Sequence, residues 1–344
     1  MLDDIPYRVP HRALTSPGAD DYIVLVHRIT RRRRVPLWLV IYAFAVVLFL
    51  PKMALAWGPA THIDFGLQVL RNAAILTPFL RELLRRYPDD YLYGCCAADI
   101  IVGKNFAKYL YHCHNWQVGL RVLDTAADER QKALMYGFLT HLSADIVAHN
   151  FFVPYKTVES FRTRVAKHTY WELRFDQVKV ARDEAVFTTL KRIGRTQFED
   201  HDAFLGEMLV GASRLFSFGT SKKLFNSMML LSRLRRWREM MDHVAERSEL
   251  PLTQAEFAEF DRLAMNAIFA FLIDHEESRT VTVDPTGARN LRVAKDLRRE
   301  LRLIWKDGRG SNARWPEAAA MLRERFRAGI YGRLDIPDLP RLVT

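Results

Sequence analysis

Apolar side chains cover most faces of the segment between residues 129 and 152. Thr125 and Asp128 have the spacing of a capping box at its start, and Pro154 predicts a stop after its end. The pattern therefore predicts one long helix between these two signals. A helix that is apolar on most sides lies in a core rather than on a surface. We expect this segment, the central helix, to be buried.

Helical periodicity recurs along most of the remaining chain. The further predicted helices lie near 62–70, 77–88, 157–175, 202–217, 221–246, 253–277, 288–306 and 315–328. Thr77 followed by proline predicts one helix start, and Thr253 with Glu256 predicts another. Residues 93–99 are mostly small and favour a tight turn, and only 280–283 alternates as a strand would. The predicted fold class is therefore all-α.

Three side chains on the central helix have the chemistry of metal ligands. His141, Asp145 and His149 are spaced at i, i+4 and i+8, and such positions drift around a helix by only about 80° in total. They are therefore expected to share one face. Buried imidazoles and carboxylates are either hydrogen-bonded within the core or bound to a metal. Both interpretations stay open on the spacing alone.

Other segments supply further imidazoles and carboxylates. The candidates outside the central helix are His62, Asp99, His112 or His114, His168 and Glu172. His168 and Glu172 are four residues apart, so they share a helix face. Alone, such a pair is commonly a surface hydrogen bond. Taken with the central helix, these residues indicate a metal centre.

The number and type of these candidates indicate zinc. Nitrogen and oxygen ligands suit Zn²⁺, although manganese and iron accept the same ligand types. Eight ligand positions exceed the four that one tetrahedral ion uses. We therefore expect two or three ions. Asp145, which has two carboxylate oxygens, is suited to bridge two of them at about 3.5–4 Å.

The amino-acid composition limits the classes of partner that the protein is expected to bind. The chain has 344 residues, 49% of them hydrophobic, and a net charge of +11. Outside the N-terminal region the positive excess is mild and spread out, which suits an anionic lipid surface or a phosphate group better than specific nucleic-acid binding. The three cysteines exclude a disulfide framework, and we expect them to be small buried residues.

The N-terminal residues have the pattern of an export signal. Arg31–Arg34 precede an uncharged apolar run at 35–50, and Ala54-Leu55-Ala56 follows as a cleavage motif. We expect a secreted or periplasmic protein that begins at Trp57 after cleavage. The alternative is retention of 35–50 as a membrane anchor. The predicted organisation is a signal or anchor at 1–56, a helical domain at 57–280 and a C-terminal helical extension at 281–344.

Five motifs, in this order, resemble the zinc-dependent phospholipase C family. They are Trp57-Gly-Pro-Ala-Thr-His62, Gly94 to Asp99, His114-Asn-Trp116, His141-x3-Asp145-x3-His149 and His168-x3-Glu172. The resemblance covers residues 57–175. It implies a multi-helix domain of the phospholipase C and single-strand nuclease type, which holds three zinc ions and hydrolyses phospholipid head-group phosphodiesters.

The resemblance also implies a ligand set for each ion. One ion would be held by Asp99, His114, His141 and Asp145, with Asp99 also a candidate general base. A second would be held by His149, His168 and Glu172. A third would be held by Trp57, through its own amino group and carbonyl, by His62 and by the other oxygen of Asp145.

Two features leave the reaction open. The gap between Asp145 and His149 and that between Trp57 and His62 are shorter than in the bacterial secreted enzymes. Both are similar to the glycosylphosphatidylinositol-specific phospholipase D branch, so the head group and the side of phosphorus that is cleaved are undecided. Two alternatives are a single-strand nuclease and a membrane-tethered helical protein whose zinc is structural and fully coordinated.

Overall fold

The computed structural model describes residues 57–100, 113–163, 168–209, 218–223, 225, 252–307 and 315–331. Its helices are α1 Pro59–Arg71, α2 Pro78–Arg86, α3 Pro88–Ala97, α4 Trp116–Asp124, α5 Glu129–Val147, α6 Val153–Glu159, α7 His168–Arg182, α8 Glu184–Ile193, α9 Glu199–Met208, α10 Gln254–Asp274, α11 Ala288–Asp307 and α12 Trp315–Tyr331. Within these ranges there is no strand. The all-α prediction is confirmed.

Helix α5 is the predicted central helix. Every residue from Ala133 to Val147 is buried, because apolar side chains leave the helix on all sides. It packs against α3, α4 and α10. Beyond its C-terminal end, Trp57 stacks on Phe152 with ring centroids 4.9 Å apart and lies 4.0 Å from Phe175. The core is therefore built around α5 and the aromatic cluster that follows it.

Both predicted ends of the central helix were wrong. Asp128, not Thr125, is the N-cap: its backbone is extended and its carboxylate accepts from the Gln131 amide, whereas Thr125 lies in helical backbone at the end of α4. Pro154 does not end the helix. A π-helical segment, Ala148–Phe152, follows α5, and Pro154 then lies in the first turn of α6, where a missing amide hydrogen is tolerated.

Several other boundaries differ from prediction. The predicted turn at 93–99 is mainly the end of α3. Pro88 was predicted to end α2, but α2 ends at Arg86 and Pro88 is the first residue of α3. The predicted helix at 157–175 is two helices, α6 and α7. The candidate strand at 280–283 is a 3₁₀ helix, Arg279–Thr282. The caps at Thr77 and Thr253 are confirmed, the latter as a full capping box. The signal region at 1–56 and nearly all of the predicted helix at 221–246 lie outside the described residues.

Two glycines let α3 and α5 touch backbone to backbone. A Cβ on Gly94 would lie 2.0 Å from the Leu134 carbonyl oxygen, and one on Gly137 would lie 2.0 Å from the Tyr91 carbonyl oxygen. Such distances are far inside van der Waals contact, so only glycine fits at both positions. The close contact brings the C-terminal end of α3, and with it Asp99, against the ligand face of α5.

Helix α11 packs on α6 and on the π-helical segment. Val158 and Phe161 meet Ala294 and Leu301 in a small second hydrophobic cluster. The predicted division at residues 280 and 281 stays a prediction. No helix within the described residues is both long and apolar enough to cross a membrane.

Candidate metal centre

Four side chains from three segments converge at the buried face of α5, and we call them the first ligand group. They are Asp99 after α3, His114 before α4, and His141 and Asp145 on α5. His114 Nε2 lies 3.3 Å from Asp99 Oδ1, 3.1 Å from Asp145 Oδ2 and 3.1 Å from His141 Nε2. His141 Nε2 lies 3.3 Å from Asp145 Oδ2 and 3.8 Å from Asp99 Oδ1.

These separations fit a tetrahedral ion. Ligand atoms at zinc distances of 2.0–2.2 Å lie about 3.3–3.5 Å from one another when the geometry is tetrahedral. The five measured separations, 3.1 to 3.8 Å, bracket that value. The donor set of two imidazoles and two carboxylates also suits zinc. The first ligand group therefore fits the ion that the family resemblance implies there.

The other ring nitrogens of these histidines contact the protein. His141 Nδ1 donates to the Cys95 carbonyl oxygen at 2.8 Å, and His114 Nδ1 lies 3.4 Å from the Cys113 sulfur. A carbonyl can only accept, so His141 carries its proton on Nδ1 and presents the Nε2 lone pair to the group. The contact of α3 with α5 supplies this carbonyl. Cys95, Cys96 and Cys113 are all buried free thiols, as predicted.

Asp145 has one oxygen toward the first ligand group and the other toward His62. Its Oδ1 lies 3.5 Å from His62 Nε2, and the His62 ring stacks on His141 with centroids 3.7 Å apart. His62 Nε2 and both Asp145 oxygens are buried and make no well-formed hydrogen bond within the described residues. Buried polar atoms are nearly always hydrogen-bonded. Their arrangement is one that could hold a metal ion.

Burial and charge place these groups in their ligand forms. Burial, reinforced by the neighbouring His141, lowers the pKa of His62 to about 3. Burial alone would raise the pKa of Asp145, but the nearby imidazoles of His141 and His114 outweigh it and hold the pKa well below its usual value. His62 is therefore neutral and Asp145 ionised at neutral pH, as metal coordination requires.

A second ligand group lies where α5 passes into the π-helical segment. It consists of His149 from that segment with His168 and Glu172 from α7. His168 Nε2 lies 2.6 Å from Glu172 Oε1, and the His149 and His168 rings are 5.1 Å apart. His149 and Glu172 are buried, and the His168 side chain is 18% exposed. The π-helical segment has a wider turn than an α-helix and separates His149 from His141 and Asp145 on α5. The three positions therefore belong to two groups.

Trp57 is fully buried beside the first ligand group. Its indole nitrogen donates to the Ala144 carbonyl oxygen at 3.1 Å, next to Asp145. The predicted role of Trp57 as a ligand through its amino group stays a prediction. His112 lies outside the described residues, whereas His114 belongs to the first ligand group.

Sequence reasoning missed Asp176, which holds the start of α1. Its carboxylate accepts from the Ala60 amide at 3.2 Å and from the Thr61 amide and hydroxyl at 2.9 and 2.5 Å. Burial raises its pKa to about 6 despite these bonds. A Cβ on Gly58 would overlap this carboxylate. The feature of the sequence that could have indicated a role for Asp176 is its position one helical turn after Glu172 on α7.

Comparison with known protein families agrees with this geometry. Residues 61–212 match the model of the family described as zinc dependent phospholipase C. The match supports assignment of residues 61–212 to the zinc-dependent phospholipase C family. The match extends from α1 to just beyond α9 and includes both ligand groups and His62. Neither a curated protein nor a solved structure gives a significant match to the chain.

Proposed function

We propose that this protein is a zinc-dependent phosphodiesterase that hydrolyses the head-group phosphodiester bond of phospholipids, in the manner of a phospholipase C. The observation that carries the proposal is the second ligand group. Within the described residues it supplies three protein ligands, His149, His168 and Glu172. Three protein ligands are typical of catalytic zinc, which keeps a position for water or substrate, whereas structural zinc takes four.

The remaining ligands support a multinuclear centre of the family type. One oxygen of Asp145 lies near His114 in the first ligand group and the other lies near His62, as expected of a carboxylate that joins two ions. Zinc ions in such a centre supply Lewis acidity toward phosphate oxygens and lower the pKa of water. Asp99 is the proposed general base, as the family resemblance implies, and its carboxylate lies among the metal ligands, 3.3 Å from His114.

The proposed substrate lies at a membrane surface outside the cytoplasm. Residues 57–344 hold 43 Lys/Arg against 36 Asp/Glu, a net charge of +7, and this mild excess favours approach to anionic lipid. We propose that residues 1–56 direct export and are then removed before Trp57, or else remain as an anchor. The domain at 57–280 would then carry the catalytic centre, and helices α11 and α12 of the C-terminal extension at 281–344 pack on its helix α6.

The test begins with zinc content and a substrate panel. The purified protein is analysed for metal and then given phospholipid vesicles, bis(p-nitrophenyl) phosphate and single-stranded DNA. We expect bound zinc and hydrolysis of phospholipid. Release of diacylglycerol and of the phosphorylated head group as two separate products would show C-side cleavage. Release of phosphatidic acid and of the free head group would show D-side cleavage. Preference for DNA would support a nuclease, and bound zinc without hydrolysis of any substrate would support a structural role.

Glu172→Gln tests whether the second ligand group is catalytic. The change keeps size but removes the ligand charge, so we expect loss of one zinc ion and a fall in rate of at least about 100-fold, the scale of losing an electrostatic contribution in a catalytic site. Glu184→Gln on the exposed first turn of α8 is the matched control and should keep metal and rate. Normal zinc and rate in Glu172→Gln would refute the catalytic assignment.

A further inference from the structure

Two consecutive backbone carbonyls near the start of α11 accept hydrogen bonds from the π-helical segment, which carries one residue of the second ligand group. The Pro285 carbonyl oxygen accepts from His149 Nδ1 at 2.7 Å, and the Asp284 carbonyl oxygen accepts from the Asn150 side-chain amide at 2.8 Å. His149 and Asn150 are consecutive residues of the π-helical segment. Two neighbouring residues of one segment are therefore bound by two neighbouring residues of the other.

The turn that carries these carbonyls is closed by its own side chains. The Asp284 carboxylate accepts from the Thr286 amide at 3.0 Å, from the Thr286 hydroxyl at 2.7 and 2.8 Å and from the Ala288 amide at 3.4 Å. Gly287 has φ +55, the left-handed conformation that glycine adopts without strain. A Cβ there would lie 2.2 Å from the His149 carbonyl oxygen. The turn is thus shaped to lie directly against His149.

Bonds on both sides hold the turn in place. Before it, the Val283 carbonyl oxygen accepts from the Trp116 indole at 3.0 Å, and Trp116 follows His114 by two residues. After it, the Asn290 side-chain amide donates to the Asn150 carbonyl oxygen at 3.1 Å. The turn is therefore attached to the segments that carry both ligand groups.

We infer that the turn Asp284–Gly287 is a positioning element for His149. A carbonyl oxygen can only accept, so its bond to Nδ1 requires the proton on that nitrogen and leaves the Nε2 lone pair for the ion shared with His168 and Glu172. The turn also sets the direction of the ring. This inference rests on the proposed function, because it takes His149 to be a ligand.

The positioning turn lies outside the part of the chain that matches the family model. That match ends at residue 212, whereas the turn begins 72 residues later. Partners that orient a metal-bound histidine typically change metal affinity by about 10–100-fold when they are removed. The second ligand group therefore depends on residues that the family match does not include.

The test uses the full chain and changes only the turn. Asp284→Ala removes the oxygens that close it, and Gly287→Ala introduces a Cβ that displaces it from His149. Asp284→Asn is the rescue variant, because asparagine side chains also form this type of turn. Asp183→Ala is the matched control: Asp183 likewise accepts the amide two residues on at a helix start, but lies at α8, away from the ligand groups.

The readouts are zinc stoichiometry, zinc affinity by competition with a chelator, and the visible absorption of the Co²⁺-substituted protein. We expect Asp284→Ala and Gly287→Ala to weaken the binding of one ion by about 10–100-fold and to alter the cobalt spectrum. Asp284→Asn should restore both, and Asp183→Ala should change neither. Should Gly287→Ala fail to fold, as judged by circular dichroism, Asp284→Ala and its rescue decide the question.

His149→Ala separates the two possible failures. If His149→Ala keeps all its zinc, His149 is not a ligand and the proposed function fails with it. If His149→Ala loses one ion while Asp284→Ala and Gly287→Ala bind that ion as tightly as the unchanged protein, only the positioning role is overturned. Weakened binding of the same ion in all three variants supports the inference.

Discussion

Asp145 connects the histidines of the first ligand group with His62. Its Oδ2 lies 3.1 Å from His114 Nε2 and 3.3 Å from His141 Nε2, while its Oδ1 lies 3.5 Å from His62 Nε2. Loss of its charge therefore affects two proposed ions rather than one.

Asp145→Asn should lower zinc content by more than one ion per chain and abolish hydrolysis. The amide nitrogen that replaces one oxygen is a donor and cannot bind a cation, so one side of the bridge is lost and the other is neutral. Zinc per chain, measured by mass spectrometry of the metal, is the direct readout. Full metal and full activity would exclude the bridging role.

Asp90→Asn is the matched control for that change. Asp90 is also a buried aspartate paired with a buried histidine, 2.6 Å from His201 Nε2, but it belongs to neither ligand group. Burial raises its pKa, while His201 and Arg130 lower it by more, so the net pKa is below its usual value. Its substitution should lower stability and leave zinc content unchanged. Loss of zinc from both variants would indicate unfolding rather than ligand loss.

The identity of the ligand residues could be read from sequence more readily than their grouping. The spacing of His141 and Asp145, and of His168 and Glu172, placed each pair on one helix face. The family resemblance placed His149 with His168 and Glu172, but the spacing alone placed it on one face with His141 and Asp145. The π-helical turn that separates these positions arises from packing and has no residue signature. The partner of the His149 ring, Pro285, is 136 residues away. No local pattern predicts such a contact.

The contact of α3 with α5 sets the geometry of the first ligand group. It places Asp99 and the Cys95 carbonyl beside His141, and it depends on glycine at 94 and 137. From the small residues at 93–99 the sequence predicted a tight turn, and this prediction was wrong, because small residues favour close helix pairs as well as turns.

Gly137→Ala should destabilise the protein by about 1–3 kcal/mol or more, because overpacking forces backbone to move. The shift separates α3 from α5, so zinc content should fall as well. Gly206→Ala is the control: it is the same change inside helix α9, where the nearest atom to the new Cβ is 3.5 Å away. That variant should be neutral or more stable by up to about 1 kcal/mol. Equal melting temperatures for the two variants would contradict the close-contact argument.

Lys156 joins α6, α7 and α10 through a buried charge. Its ammonium donates to Glu159 at 2.6 Å and to Glu256 at 2.8 Å, and it lies 4.8 Å from the centre of the Trp171 ring. Burial raises the pKa of Glu256, but its bond with Lys156 and further bonds with Thr253 lower it by more, so the pKa is below the usual value. Trp171 precedes Glu172, so the charge supports the element that carries the second ligand group.

Lys156→Met should lower stability at neutral pH by about 1–3 kcal/mol, because it removes charged hydrogen bonds. A carboxyl with a lowered pKa in the folded state stabilises fully above its unfolded value of 4.5 and loses this contribution as pH falls through the lower folded value. The difference between the two proteins should therefore narrow in acid. Denaturant unfolding across pH measures this, with exposed Lys191→Met as the control, and a constant difference would argue against it.

At the scale of the whole molecule, the metal centre joins segments that are far apart in sequence. His62 lies near the start of the described residues, the two ligand groups lie on α3 to α7, and the positioning turn precedes α11. The all-α class and most helices could be predicted from periodicity, because each helix buries its own apolar face. The meeting of the segments could not, since it depends on contacts between helices that periodicity does not specify.

Processing at residue 57 would connect export with the completion of this centre. Trp57 is fully buried next to Ala144, and the proposed third ligand set requires its free amino group. An α-amino group has a pKa near 8, so it can lose its proton and bind zinc at neutral pH, whereas an amide nitrogen within an uncleaved chain offers no comparable lone pair. Cleavage between Ala56 and Trp57 should therefore be required for full zinc content.

Ala56→Phe should block that cleavage, because signal peptidases require a small residue before the cleaved bond. Ala56→Ser, which keeps a small side chain, is the control and should be processed. Mass spectrometry first establishes the N-terminal residue of each preparation, and zinc content and phosphodiesterase rate are then compared. We expect the unprocessed protein to bind fewer ions and to hydrolyse phospholipid slowly. Equal zinc and equal rate in the two would make Trp57 an ordinary buried aromatic residue and leave residues 35–50 free to act as a permanent anchor.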